Sequence, residues 1–148
     1  MCCLVRTLGE LDKCIKNGFI RRIEPSKNAA QKMIEKAAEL LKEADKSSRA
    51  GAPNGTLLIA YDVMLFAGKA LLALDGFREK NHYCVAIYVK EEYADKGKIG
   101  RETAKRFDEY RVLRQMVAYD ADFMVSTVDA KQSIKDASNM LEEVRKQI

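Results

Sequence analysis

The stretch from Asn54 to Asp75 constrains the fold of this chain more than any other. Leu58, Tyr61, Leu65, Ala70 and Leu72 spread apolar surface around most of a helical circumference, while Ala60, Ala67, Gly68 and Ala73 permit close approach of a neighbour. A helix with so little wetted surface belongs at the centre of a helical bundle. Leu57 to Leu74 nears membrane-spanning length, but Asp62 and Lys69 lie inside it and no apolar flank extends it, so burial in protein explains it better. These two charges face one direction, seven residues apart, too far to pair with each other. Each therefore calls for a partner on a neighbouring helix. Gly76 ends the stretch in the usual C-terminal position.

Other segments take the same helical form. Leu4, Leu8, Leu11, Ile15 and Phe19 fall at helical spacing and predict a short amphipathic helix up to about Ile23, closed by Pro25. Ser26 then supplies an N-cap for a helix whose apolar face is Ala30, Met33, Ile34, Ala37, Leu40, Leu41 and Ala44. Ser47 to Gly55 has the composition of a connecting loop. Asn81 to Tyr93 is ambiguous: Tyr83, Val85, Ile87, Tyr88 and Val89 favour a strand, whereas Asn81 as N-cap and Glu91-Glu92 favour a helix, the preferred reading. Ser126, Thr127 and Asp129 offer caps for a last helix with Ile134, Ala137, Met140, Leu141, Val144 and Ile148 on one face. The expectation is an all-α, up-and-down antiparallel bundle of five to six helices. It forms a single domain over 1–148, with an accessory N-terminal helix in 1–24 and the core bundle in 26–148.

One helix within Lys98 to Phe123 carries an arginine where a core residue should stand. Phe107, Tyr110, Val117 and Ala121 form an apolar seam, and Arg114 fills the missing position between them. Val112, Met116, Tyr119 and Phe123 form a second stripe, about 140° from Arg114 on a helical wheel. Such a helix touches neighbours on two sides. A guanidinium on a buried stripe is costly unless a carboxylate, a carbonyl cluster or a phosphate answers it. Asp108 and Glu109 are the nearby candidates for an ordinary ion pair; the functional alternative is a bidentate clamp on phosphate, with Arg111 as a second contact.

Composition narrows the function classes only a little. A formal charge of +4 and a pI near 8.8 suit an anionic partner without announcing a concentrated basic face. Cys2, Cys3, Cys14 and Cys84 contain no CxxC pair, and the single histidine, His82, cannot complete a zinc ligand set with them, so no metal is expected. Free thiols in a reducing cytoplasm are the expectation. MCCLVRTLGELDKC breaks its apolar run with charge at once, unlike a signal peptide.

Ala60-Tyr61-Asp62-Val63-Met64-Leu65-Phe66-Ala67-Gly68-Lys69-Ala70-Leu71-Leu72, then Gly76, then His82 opening the next helix, then Arg114 to Asp120, occur in an order that resembles the HEPN family. These are the small helical domains named for higher eukaryotes and prokaryotes nucleotide-binding. The resemblance spans roughly Ser26 to the C-terminus. It implies a dimerising helical bundle and, for many relatives, a metal-independent ribonuclease with an arginine and a histidine four to six residues apart. Here Arg114-Gln115-Met116-Val117-Ala118-Tyr119 places Tyr119 in the histidine position. An unperturbed tyrosine titrates near pH 10, so it is a poor base where histidine is a good one.

The resemblance implies Arg114 and Tyr119 as catalytic candidates, and Arg111, Arg114 and His82 as nucleotide- or RNA-binding candidates. For His82, capping or packing at the helix start competes with that role. Arg114 and Tyr119 point apart within one chain, but across a twofold axis both copies can line one cleft. The expected function is a cytoplasmic homodimer binding RNA or nucleotide in a composite cleft without cofactor, a weak or degenerate ribonuclease of toxin-antitoxin type. The alternative is a non-catalytic partner of a separate minimal nucleotidyltransferase.

Overall fold

The computed structural model describes residues 8–148 of the chain. Its central element is α3 (Pro53–Asp75), where the sequence puts the most apolar helix. Pro53 starts it without losing a helical hydrogen bond, and Gly76 ends it in the left-handed conformation at φ +86°. Tyr61, Leu57, Met64, Leu71 and Leu72 are almost wholly excluded from water. α3 is the one helix among the described residues long and apolar enough to cross a membrane, and two thirds of its most apolar window is buried in the bundle.

α2 (Lys27–Arg49) and α6 (Thr127–Arg145) pack along α3 and close one side of the core. The Ser26 hydroxyl accepts from the Ala29 amide at 3.0 Å, and the Ser126 hydroxyl accepts from the Asp129 amide at 3.0 Å, as helix caps should. The loop expected over Ser47 to Gly55 shrinks to three residues, because α2 runs on to Arg49 and α3 begins at Pro53.

α4 (His82–Tyr88) is a helix, as preferred over a strand, and the Asn81 side chain caps it by accepting from the Cys84 amide at 2.8 Å. Its continuation, Val89–Ala94, is a π-helical segment that the sequence did not suggest. Hydrogen bonding from residue i+5 stacks residues five apart. Tyr88 and Tyr93 can therefore both donate to the Asp75 carboxylate, each at 2.7 Å, tying the segment to the end of α3.

α5 (Arg101–Tyr119) is shorter than the segment read as helical, and its start is held by Glu143, which accepts from the Gly100 amide at 2.8 Å. Tyr110 donates to Asp136 on α6 at 2.7 Å, and Asn54 on α3 accepts from the Val125 amide at 2.9 Å. Both ends of the α5–α6 connection are thereby fixed.

The N-terminal reading needs two corrections. The helix expected to reach Ile23 stops early: α1 spans Glu10–Lys16, Gly18 turns the chain at φ +73°, and Ile20–Arg22 form β1. β1 pairs antiparallel with β2 (Phe77–Glu79), because a buried Ile20 beside exposed arginines satisfies an edge ladder better than another helical turn. Leu11 and Cys14 are buried while Leu8, Ile15 and Phe19 stay exposed; Leu4 lies outside the described residues. Second, the expected free thiols are overturned for one pair. Cys14 and Cys84 form a disulfide between α1 and α4 across a Cα separation of 5.9 Å, whereas Cys2 and Cys3 lie outside the described residues.

Candidate functional site

On α3, Asp62, Phe66 and Lys69 follow one another at helical spacing and are only half-buried, in a helix whose other faces are closed. Through this stripe α3 reaches solvent, and the side chains facing it define the candidate cleft. Lys69 pairs with Glu79 on β2 at 3.0 Å and lies over the Phe66 ring at 5.2 Å. Its partner is thus on a strand rather than on the neighbouring helix expected.

Arg114 of α5 and His82 at the start of α4 face the same stripe. The seam of α5 is buried at Phe107 and Tyr110, partly exposed at Val117 and open at Ala121. Arg114 sits where that seam leaves the core and is itself half-buried. Among the described residues it enters no salt bridge: Asp108 is engaged by Arg111 at 2.8 Å, and Glu109 by Arg106 at 3.5 Å. The carboxylates that the sequence offered as its partners are therefore taken.

The three groups feel one another. Burial raises the Asp62 carboxyl above its ordinary value, and the charges of Arg114, His82 and Lys69 pull it partway back. Burial lowers His82 below the ordinary imidazole value, reinforced by Arg114 and Lys69 and opposed by Asp62 and Glu79. A neutral imidazole beside a guanidinium and a carboxyl can accept a proton near an anion held by the arginine.

Beneath the cleft lies Tyr61, fully buried, its ring 5.9 Å from His82 and 6.0 Å from Phe107. Its hydroxyl has no hydrogen-bond partner among the described residues. The charges of Arg111, Arg114, Asp62 and Asp108 all reach it, and burial pushes its titration well above the ordinary phenol range. The sequence put Tyr61 on the apolar helix and Asp62 as a charge in need of a partner there, both within the stretch that carries the family resemblance, but gave neither a role in the site. Their place beside Arg114 depends on how α3 and α5 face each other, which no local spacing encodes.

The remaining candidates separate. Arg111 is bound to Asp108 and lies over the Tyr83 ring at 5.2 Å, one turn from Arg114. Tyr119 stands at the end of α5, 82% exposed, on the face with Val112 and Met116. Within one chain the structure gathers Arg114 and His82 but not Tyr119. A distinct groove of about 430 Å³ runs between the π-helical segment and α5, where Lys90, Arg101 and Lys105 alternate with Asp95, Asp108 and Glu109. Its mixed charges lack the concentrated positive potential that an anion needs, so the Arg114 cleft is the better candidate.

A search of curated proteins found no significant match. The sequence profile described as HEPN domain matches residues 30–147, which include α3, the half-buried stripe, His82 and Arg114. With that match covering most of the chain and a helical bundle built around α3, the protein belongs to the HEPN domain family, a family of nucleotide-binding and ribonuclease-type domains.

Proposed function

We propose that this protein is a cytoplasmic homodimer that binds nucleotide or RNA phosphate in the cleft of Asp62, His82 and Arg114 and cleaves RNA there weakly, without metal, as a toxin-type ribonuclease. The observation that carries the reading is the half-buried Arg114, which makes no salt bridge among the described residues. A guanidinium so placed gains most from a ligand that supplies two acceptor oxygens, and a phosphate does so.

In the cleavage step the ribose 2′-oxygen forms a bond to phosphorus while the bond to the 5′-oxygen breaks. His82, kept neutral by burial, takes the 2′-hydroxyl proton. The departing oxygen takes a proton from water, leaving a 2′,3′-cyclic phosphate and a 5′-hydroxyl. Arg114 stabilises the charge that grows on the phosphoryl oxygens.

Dimerisation is supported by the open face of α5. Val112, Met116 and Tyr119 are 44%, 37% and 82% exposed, and the groove beside them continues to Asp120 and Ala121. Packing of two such faces about a twofold axis would make Tyr119 part of the interface, since this face lies about 140° around α5 from Arg114. The cytoplasmic setting follows from the ligand and requires that the Cys14–Cys84 pair, 3% and 1% exposed, be shielded from cellular reductants.

The test is cleavage and binding of single-stranded RNA in chelator, with sedimentation to read the oligomeric state. Wild type should bind RNA as a dimer and release cyclic-phosphate ends. Arg114→Ala should lose binding by about a hundredfold, the weight of a charged contact of roughly 3 kcal/mol. Equal RNA binding by wild type and Arg114→Ala would remove the proposal, and a monomer at working concentration would remove the homodimer.

A further inference from the structure

Outside that cleft, the β1–β2 ribbon presents two unlike faces. Ile20 is buried, Glu79 opposite it is engaged by Lys69 at 3.0 Å, and Arg22 lies over the Phe77 ring at 5.3 Å, so this face is occupied by the protein itself. The alternation of a strand puts Arg21, directly opposite Arg78, on the other face. The ladder continues through the Lys80 amide donating to the Phe19 carbonyl at 2.8 Å and the Ile23 amide donating to the Gly76 carbonyl at 2.9 Å. Phe19, Ile23 and Lys80 consequently share the face of Arg21 and Arg78.

Like charges directly opposite one another weaken a ribbon. None of Arg21, Arg78 and Lys80 has a salt-bridge partner among the described residues, and the one carboxylate of β2 belongs to the opposite face. Beside these cations the apolar side chains Phe19 and Ile23 remain 41% and 42% exposed. A hollow of about 400 Å³ here is lined by Arg21, Arg22, Ile23, Arg78, Glu79 and Lys80, and its one carboxylate, Glu79, is already engaged by Lys69. Lys80 is followed at once by the Asn81 cap and His82, but the cleft stripe meets the ribbon through Lys69 and Glu79 on its other face, so this outer face is separate from the Arg114 cleft. The disulfide between α1 and α4 and the ladder hold it in place without a ligand.

We propose that this outer ribbon face is an accessory binding surface for single-stranded RNA, with Arg21, Arg78 and Lys80 holding successive phosphates and Phe19 stacking on a base. The RNA identity of the ligand rests on the function proposed above. Single strands combine a regular row of negative charge with exposed aromatic faces, and cations beside an aromatic side chain answer both. β1 lies outside the matched residues 30–147 and β2 inside them, so Phe19 and Arg21 come from a segment that precedes the matched domain while Arg78 and Lys80 belong to it.

Fluorescence anisotropy of the full chain with a labelled oligoribonucleotide of about ten nucleotides tests this, alongside titration with uridine monophosphate to read the cleft alone. The triple variant Arg21→Gln, Arg78→Gln, Lys80→Gln removes a mutual repulsion from an exposed ribbon and should remain folded by circular dichroism. It should bind the oligomer about tenfold or more weakly, with the logarithmic salt slope reduced by about 2 for three lost phosphate contacts. Its uridine monophosphate binding should be unchanged. Phe19→Ala should weaken the oligomer without altering the slope. Oligomer affinity and slope unchanged in the triple variant would overturn the inference while leaving the cleft reading intact. Absence of uridine monophosphate binding in wild type, with oligomer binding still dependent on the three cations, would sink the cleft and keep the ribbon. Wild type that binds phosphatidylserine vesicles but not the oligomer would overturn the assignment to RNA.

Discussion

Tyr61 and His82 are neighbours under different constraints, and each can be tested alone. The Tyr61 ring fills core space between His82 and Phe107, but its hydroxyl carries a desolvation cost with no hydrogen bond to offset it. Tyr61→Phe keeps the ring and deletes that cost, so urea denaturation should show unchanged stability or a gain of about 1 kcal/mol. A loss of that size would mean that the hydroxyl has a partner in solution. His82 acts through its charge. Its folded-state value is lowered, so the folded protein binds fewer protons than the unfolded chain. The associated stability is present above the ordinary imidazole range and is lost as pH falls through the lowered value. Asp62 runs the other way: its carboxyl is raised, so its ionised form costs stability above the carboxylate range and the cost fades on acidification. Melting temperature should therefore decline between about pH 7 and pH 5, and His82→Gln should flatten that decline. Equal slopes in the two proteins would show that His82 is not desolvated as the structure places it. At this scale Arg114 was legible, because a charge in an apolar seam breaks a pattern. His82 was named beside it as a binding candidate, but the approach of Asp62 and Tyr61 was not legible, because they come from another helix.

Helices betrayed themselves in the sequence where one residue type does one job. Ser26, Asn81 and Ser126 cap, Gly76 terminates, and the all-apolar circumference of α3 announces its burial. The β-ribbon left no such trace. Its strands are three residues each, far apart in the chain, and Ile20-Arg21-Arg22 alternates too briefly to be told from a helix end. The π-helical segment was equally hidden, since it depends on Tyr88 and Tyr93 sharing Asp75 across space. The packing of α3 against α4 was half legible: small residues said that something comes close, not what. Gly68 is the point of closest approach. A Cβ there would meet Val85 Cγ1 at 2.9 Å, Val89 Cγ2 at 3.3 Å and the Phe107 ring at 3.4 Å. Gly68→Ala gains about 1 kcal/mol of helix propensity but forces apart α4 and its continuation, an overpacking cost of about 1 to 3 kcal/mol. The crowding should win, because Val85 and Val89 are β-branched and buried and cannot swing aside. A lowered urea midpoint for Gly68→Ala is expected, and a raised one would show that the two helices are not in contact at this residue.

At the scale of the whole molecule, the segment before residue 30 is attached to the matched domain by two devices. One is the ribbon ladder, and the other is the covalent link from Cys14 to Cys84, which closes a separation of 70 residues. Closing so long a loop restricts the unfolded chain and stabilises the folded one by about 4 kcal/mol on the chain-entropy account. The attachment is otherwise thin: Leu11 and Cys14 are the buried residues of α1, with the Leu11 amide donating to Glu91 at 3.0 Å and Tyr83 donating to Glu10 at 2.8 Å. The bundle of α2, α3, α5 and α6 owes none of its own packing to α1. Cutting the link should therefore act on two levels. Cys14→Ala with Cys84→Ala should lower the urea stability of the whole chain by about 2 to 4 kcal/mol. Hydrogen exchange under native conditions should show more, with the Leu11, Ile23 and Lys80 amides losing protection while α3 and α6 keep theirs. The same pattern should appear in wild type reduced in denaturant and refolded in dithiothreitol, since the folded protein shields the pair. Unchanged exchange at those three amides after reduction would mean that the disulfide does not hold α1 and the ribbon in place, and the preorganisation credited to the RNA-binding face would have to come from the ladder alone.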